Sequence, residues 1–368
     1  MRHIANYIFT LNLLILSVLE ISGQGSGAIY NSKYSQNDQL KELTMADFKT
    51  IATGFNSIQS MDGYYYFQRF PSEALEVFKT ISRYVRAEAT SGVRLRFRSD
   101  TRLLVIDAKV LENSPQTEPF IILCNDSLLF ELPSGGVAGD FEQILELPGK
   151  GEKTIEICFP AYSKGSIRKL QIEKNSTLKP LKRRGIYLAM GNSITQQGGR
   201  YMGYADIVAR GLDLDLHEAG VGGHVFDAES VPFAYIEKPV LITLAYGTND
   251  WNGARPVENA SKFLDKITLL YPSTPIFMLE PIRRYVPVAK DGKKLASNKE
   301  GISLMNYRKE LRSIAKNYPS VRVINYKKLM PDDPSFFEDG VHPTEKGHIV
   351  FGENLLRILK KNFTDYAN

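Results

Sequence analysis

Ile186-Tyr187-Leu188-Ala189-Met190 runs directly into Gly191-Asn192-Ser193-Ile194-Thr195. An apolar run of strand length that ends on glycine and small polar residues reads as a buried strand turning sharply into a helix. Downstream, Leu214 to Glu218, Val240 to Tyr246, Pro275 to Glu280 and Val321 to Asn325 are further strand candidates. Helical periodicity occupies roughly 201–212, 257–271, 297–317 and 344–361. Short apolar strands alternating with helices predict an α/β fold with a parallel sheet covered on both faces. In such a sheet the ligand site lies at the carboxyl ends of the strands.

Upstream the period changes. From Gly92 to Lys174 the segments are short and β-rich: Val93 to Phe97, Leu103 to Val110, Phe120 to Cys124, Leu128 to Leu132, Phe141 to Leu147, Thr154 to Phe159 and Ile167 to Ile172. Turn signals such as Leu132-Pro133-Ser134-Gly135-Gly136 separate them. This spacing predicts an all-β sandwich, jelly-roll-like in character. Thr44 to Thr53 reads as a short helix, and Asn175 to Arg184 as a linker. The expected organisation is a leader over 1–23, an extension with a short helix over 24–59, a β-sandwich over 60–178 and an α/β domain over 185–368.

The chain has 368 residues, 46 Lys+Arg against 41 Asp+Glu, 43% hydrophobic residues and 24% charged residues. That length suggests about two domains with real cores, and the composition excludes disordered, collagen-like and disulfide-scaffold classes. A formal charge of +5 spread over the chain, whose densest basic run is Lys182-Arg183-Arg184, is too little for a nucleic-acid footprint. Arg2, the apolar stretch Ile8 to Leu19 and the run Ser22-Gly23-Gln24-Gly25-Ser26-Gly27 have the layout of a secretory signal peptide. The expectation is an exported protein, periplasmic or extracellular, with no membrane span after cleavage near Gly23. Export permits a disulfide between Cys124 and Cys158, but separate buried thiols fit their strand-like surroundings better.

The strand ends hold the unusual residues. The first strand leads into Ser193, the second into Gly220-Val221-Gly222-Gly223-His224, and the third into Gly247-Thr248-Asn249-Asp250. Asp339-Gly340-Val341-His342-Pro343 follows the fifth. Ser193 is the candidate nucleophile, and a serine hydroxyl needs a base. His342 supplies one, with Asp339 to orient its imidazole. The N–H groups of Ser193 and Gly223 and the side-chain amide of Asn249 are candidate donors to a developing oxyanion.

These segments resemble the four sequence blocks of the SGNH hydrolases, also called GDSL-type esterases. The resemblance covers about half the chain. It implies a flavodoxin-like α/β/α fold, Ser193, Asp339 and His342 as the catalytic triad, and Ser193, Gly223 and Asn249 as the oxyanion hole. The sequence departs from the family in two places: Asn192 stands where an Asp is usual, and Glu218 where the second block usually opens with Asn. The second departure leaves Gly222 and Gly223 as alternatives for the oxyanion glycine. The segment Gly63 to Pro71, followed by Ser91 to Asp100, is similar to the N-terminal domain of some bacterial SGNH esterases. That similarity implies an exported O-acetyl esterase acting on acetylated oligo- or polysaccharide such as acetylxylan. A lipase or thioesterase is the enzymatic alternative, and a non-catalytic glycan-binding protein the other.

No cofactor or metal is implied. His217, Glu218 and His224 do not have the spacing of a helical ligand motif, and the run around Gly222 lacks the third glycine of a dinucleotide fingerprint. Trp251, the sole tryptophan, either stacks on a sugar ring as a substrate-binding platform or simply packs. Arg283 and Arg284, just after the fourth strand, either line the rim of the site or, as the simpler reading, are solvated surface charge, and His348 reads as structural.

Overall fold

The computed structural model describes residues 39–363, apart from 82, 112–116, 134, 182, 235, 237 and 286–296. The expected leader lies outside the described residues. Among the described residues no helix is long and apolar enough to cross a membrane.

Two antiparallel sheets share one apolar core, to which Leu104, Ile106, Ile167 and Leu170 contribute from one sheet and Leu95, Phe97, Ile122 and Ile155 from the other. Each alternates inward apolar residues with outward ones, as the two-residue period of a strand requires. The sandwich extends past its expected limits. Leu40–Glu42 pairs with Lys164–Glu173, Ala52–Thr53 with Arg94–Ser99, and Ser57–Met61 with Tyr64–Gln68, so the expected extension supplies edge strands. Lys179–Pro180, expected as linker, also pairs with Arg94–Ser99. Such two- and three-residue strands carry too few residues to show a period in sequence. Between Leu40–Glu42 and Ala52–Thr53 lies the expected helix, Met45–Ile51, closed by a capping box between Thr44 and Asp47.

The second body is a five-stranded parallel sheet whose chain order is second, first, third, fourth, fifth: Asp215–Gly220, Ile186–Gly191, Leu241–Ala245, Ile276–Leu279 and Val321–Ile324. This is the flavodoxin-like order, with its topological switch beside the first strand. Tyr204–Leu212 and Glu345–Phe363 pack on one face with Tyr187, Ala189 and Phe277. Asn259–Leu270 and Leu304–Ala315 cover the other with Leu188, Met190 and Leu244.

Two helices inside the expected sandwich span, Ser72–Thr80 and Tyr84–Glu88, belong to this second core. Ala74, Leu75, Phe78 and Ala87 are buried in it. Full burial of a residue such as Phe78 stabilises by about 1.5 to 3 kcal/mol.

The two bodies also share a buried ionic layer. Val93-Arg94-Leu95-Arg96-Phe97 alternates as a half-exposed strand does, yet Arg94 and Arg96 are 4% and 9% exposed. Arg94 pairs with Glu156 at 2.8 Å and with Asp206 at 2.5 Å, and Arg210 pairs with both acids. The polar face of this strand therefore lies against the helix Tyr204–Leu212 rather than water.

Candidate active site

The strand Ile186–Gly191 ends at Gly191, where an added Cβ would lie 2.0 Å from Thr195 Oγ1, so only glycine allows the chain to turn this tightly. Asn192 then caps the helix Ser193–Gly198, its side-chain oxygen accepting the Ile194 N–H at 3.1 Å. Asn is a good cap without charge, which is what replaces the family's usual Asp here. The turn leaves Ser193 8% exposed at the carboxyl end of the sheet.

His342 comes from 149 residues away and sets Nε2 2.8 Å from Ser193 Oγ. Its Nδ1 lies 2.8 Å from Asp339 Oδ2. With Nδ1–H donating to the carboxylate, Nε2 is left to accept the serine proton. Asp339 Oδ1 accepts the backbone N–H groups of Val341 and His342 at 2.9 and 2.8 Å. Burial pushes the Asp339 carboxyl up, but the hydrogen bonds from the His342 N–H, the His342 ring and the Val341 N–H outweigh it and hold the group below its ordinary range.

Gly223 and Asn249 lie just past the strands Asp215–Gly220 and Leu241–Ala245. Gly223 has φ +78°, a conformation that suits glycine. The neighbouring Gly222 N–H is committed to Gln196 Oε1 at 2.8 Å. Asn249 donates one amide hydrogen to His224 O at 3.0 Å, which fixes the orientation of its second. Asp250 holds the two loops together, accepting from Phe226 N–H at 2.9 Å and Gly247 N–H at 3.1 Å. Burial raises this carboxyl to about 6 against those hydrogen bonds.

With this geometry in view, comparison with known proteins gives one family match: residues 189–350 match the GDSL-like lipase/acylhydrolase family. The chain carries a GDSL-like lipase/acylhydrolase domain. Solved structures resemble the whole fold, sandwich included. A salicylyl-acyltransferase from a tetracycline biosynthetic pathway superposes with TM-score 0.72 at 20% identity, covering 88% of this chain and 97% of the other. A family two carbohydrate esterase from Cellvibrio japonicus gives 0.60 at 14%, covering 88% and 98%. An acetyl xylan esterase from the rumen bacterium Butyrivibrio proteoclasticus gives 0.57 at 14%, covering 89% and 98%. No curated protein matches in sequence.

The sandwich clamps the helix Ser193–Gly198 of the GDSL-like domain. Ser91 Oγ donates to Gln196 O at 2.7 Å, and Tyr162 Oη donates to Ser193 O at 3.2 Å. Gln196 Nε2 donates to Arg86 O and Ala161 O at 3.1 and 3.0 Å. Sequence reading missed Gln196, although it lies three residues from the candidate nucleophile Ser193, because its partners come from three distant segments.

Trp251 does not serve as a platform. It is fully buried in the core of the GDSL-like domain, its indole N–H donating to Ile302 O at 2.9 Å, so no ring face is open to a sugar. Arg283 and Arg284 are not free surface charge either. Arg283 pairs with Asp332 at 3.0 Å, and Arg284 donates to Thr248 Oγ1 at 3.1 Å beside Asn249. His217 bonds Arg69 O, His224 bonds Ser230 Oγ, and His348 lies beside Gln197 Oε1, stacked on Tyr204. Desolvation lowers all three, to about 3, 4 and 3. Cys124 and Cys158 are both free and buried.

Proposed function

We propose that the protein is a serine esterase that removes acyl groups from carbohydrate through an acyl-enzyme, namely acetyl groups from xylan-like or other acetylated glycans. The observation that carries this is the relay of 2.8 Å contacts from Ser193 Oγ through His342 to Asp339. Carbohydrate as substrate is supported by the two solved esterases whose sandwich and α/β bodies both superpose on this chain. An exported setting is supported by the layout of Arg2, Ile8 to Leu19 and the small residues that follow.

In the first step Ser193 Oγ attacks the ester carbonyl carbon as its proton passes to His342 Nε2. Asp339 keeps the imidazole in the correct tautomer and stabilises the imidazolium that forms. The carbonyl oxygen, now negative, accepts from Ser193 N–H, Gly223 N–H and the free amide hydrogen of Asn249. Gly223 is assigned this place because the Gly222 N–H is already engaged. Collapse of the intermediate expels the sugar hydroxyl, which takes its proton from His342. Water, deprotonated by the same imidazole, then cleaves the acyl-serine bond and regenerates the hydroxyl. No metal or cofactor enters any step.

The test is hydrolysis of aryl esters from acetate to long acyl chains, beside acetate release from acetylated xylo-oligosaccharides, with Ser193→Ala as control. Turnover confined to short chains and glycan acetates, and abolished in the variant, is the expected result. A preference for long chains moves the activity to lipids, and absence of Ser193-dependent turnover sinks the esterase assignment in favour of a glycan-binding protein.

A further inference from the structure

Beside the oxyanion loop lies a cavity of about 360 Å³ that opens on Gly223 and is lined by Arg83, Arg255 and Lys262. Arg83 rests against the loop itself, since a Cβ added at Gly223 would lie 2.9 Å from its Cζ. Arg255 lines the same cavity, its Nε 3.8 Å from the Cβ position of Gly253, which follows the helix carrying Asn249. A guanidinium therefore lies beside the Gly223 loop, and a second lines the same cavity. A third, Arg86, packs on Gly222, whose Cβ position is 2.5 Å from Arg86 Nη1.

Among the described residues neither Arg83 nor Arg255 makes an ion pair. The cavity also has two acids: Glu229 is bound by Lys266 at 2.7 Å, while Asp227, whose Oδ1 accepts the Glu229 N–H at 3.0 Å, keeps its charge, so Arg83, Arg255 and Lys262 stand against one carboxylate. Burial, with Arg86 and Arg255 nearby, depresses the Arg83 guanidinium. A cleft with more cations than acids, one of them the half-buried Arg83, focuses its field on an incoming anion.

We infer that the sugar carrying the scissile ester, or its immediate neighbour, bears a carboxylate that binds between Arg83 and Arg255, so that the substrate class is acetylated uronic-acid glycan rather than neutral xylan. The inference rests on the esterase reading of Ser193 and narrows it. A guanidinium is suited to this task because its planar fork meets a carboxylate with two parallel hydrogen bonds.

The test compares acetylated oligogalacturonide with acetylated xylo-oligosaccharide and a neutral aryl acetate, using the full chain, Ser193→Ala, Arg83→Gln and Arg255→Gln. The expected kcat/KM is about tenfold or more higher for the acidic glycan, carried in KM and weakened at about 0.5 M salt. Either arginine substitution is expected to cost the acidic glycan about tenfold more than the neutral ester. Calorimetric binding of oligogalacturonide provides a readout independent of turnover, and Arg255, exposed on its loop, provides a variant with little bearing on folding. Equal kcat/KM on both glycans, or an acidic preference untouched by both substitutions, overturns the carboxylate site while leaving Ser193-dependent aryl acetate turnover intact. Absent aryl acetate turnover sinks the esterase reading alone, and absent oligogalacturonide binding then sinks this one as well.

Discussion

Arg69 and Glu218 form a fully buried ion pair, Nη1 to Oε2 at 2.9 Å, across the boundary between the sandwich side of the chain and the second block of the site. The same guanidinium donates to the backbone carbonyls of Ala89, Glu218, Gly220 and Arg86. Glu218, where the family usually has Asn, thus anchors the loop that carries Gly222 and Gly223 to the sandwich.

Arg69→Met leaves Glu218 buried without its partner, which is expected to lower stability by about 3 to 5 kcal/mol in urea unfolding. Burial pushes Glu218 up to about 7 against the pull of Arg69, and losing that pull pushes it further. A carboxyl raised above its unfolded value contributes stability below that value and loses it as pH rises through the folded one. The deficit of the variant is therefore expected to be larger at pH 8 than at pH 5. A deficit that does not change with pH would show that Glu218 is not the group left exposed to the cost.

Asp339→Asn keeps the side-chain shape but presents His342 with the wrong partner for its Nδ1–H. The expected loss in kcat is about 10³ to 10⁴, with little change in unfolding midpoint. Steady-state kinetics on an aryl acetate reads it, and a loss below tenfold would remove Asp339 from the relay.

Gly223→Ala places a Cβ 2.9 Å from Arg83 Cζ at a backbone φ of +78°. Arg83 can swing aside, but the left-handed φ strains an alanine, and relief of that strain moves the N–H. The expected cost is about 10² in kcat, the usual scale for a lost oxyanion donor. Gly222→Ala tests the alternative: an N–H already bonded to Gln196 predicts a change in stability accompanied by a smaller change in kcat.

His348 is neutral and buried, with Nδ1 lacking a partner among the described residues, and burial lowers it to about 3. A histidine depressed in the folded state loses its stability contribution as pH falls below its unfolded value of about 6.5, by up to about 1.4 kcal/mol per pH unit. Because Asp250 and Glu218 act in the opposite direction, the difference between wild type and His348→Asn isolates the effect. That difference is expected to shrink between pH 6.5 and 4, and constancy would exclude the assignment.

Cys124 and Cys158 are 3% exposed each, and burial raises both thiols. A thiol-reactive dye is expected to label neither in the folded protein and both after denaturation without reductant. Failure to label after denaturation would mean a bridge.

Much of the site was legible because it is built from local segments. Ser193, Gly223 and Asn249 each sit just past a parallel strand, and a strand buried on both faces is written as an uninterrupted apolar run. The final helix likewise carries its own periodicity, so Asp339 and His342 could be placed just before it. What joins these segments has no such signature. Arg69 and Glu218 are 149 residues apart, and the alternation around Arg94 looks the same whether its polar face meets water or Asp206. Trp251 depended on Ile302, a residue beyond any helical or strand period from it. Periodicity encodes which face of an element is apolar, and turn chemistry encodes where it ends. Which distant charge covers a polar face, and whether an aromatic ring is open or enclosed, is decided only when elements far apart in sequence pack together.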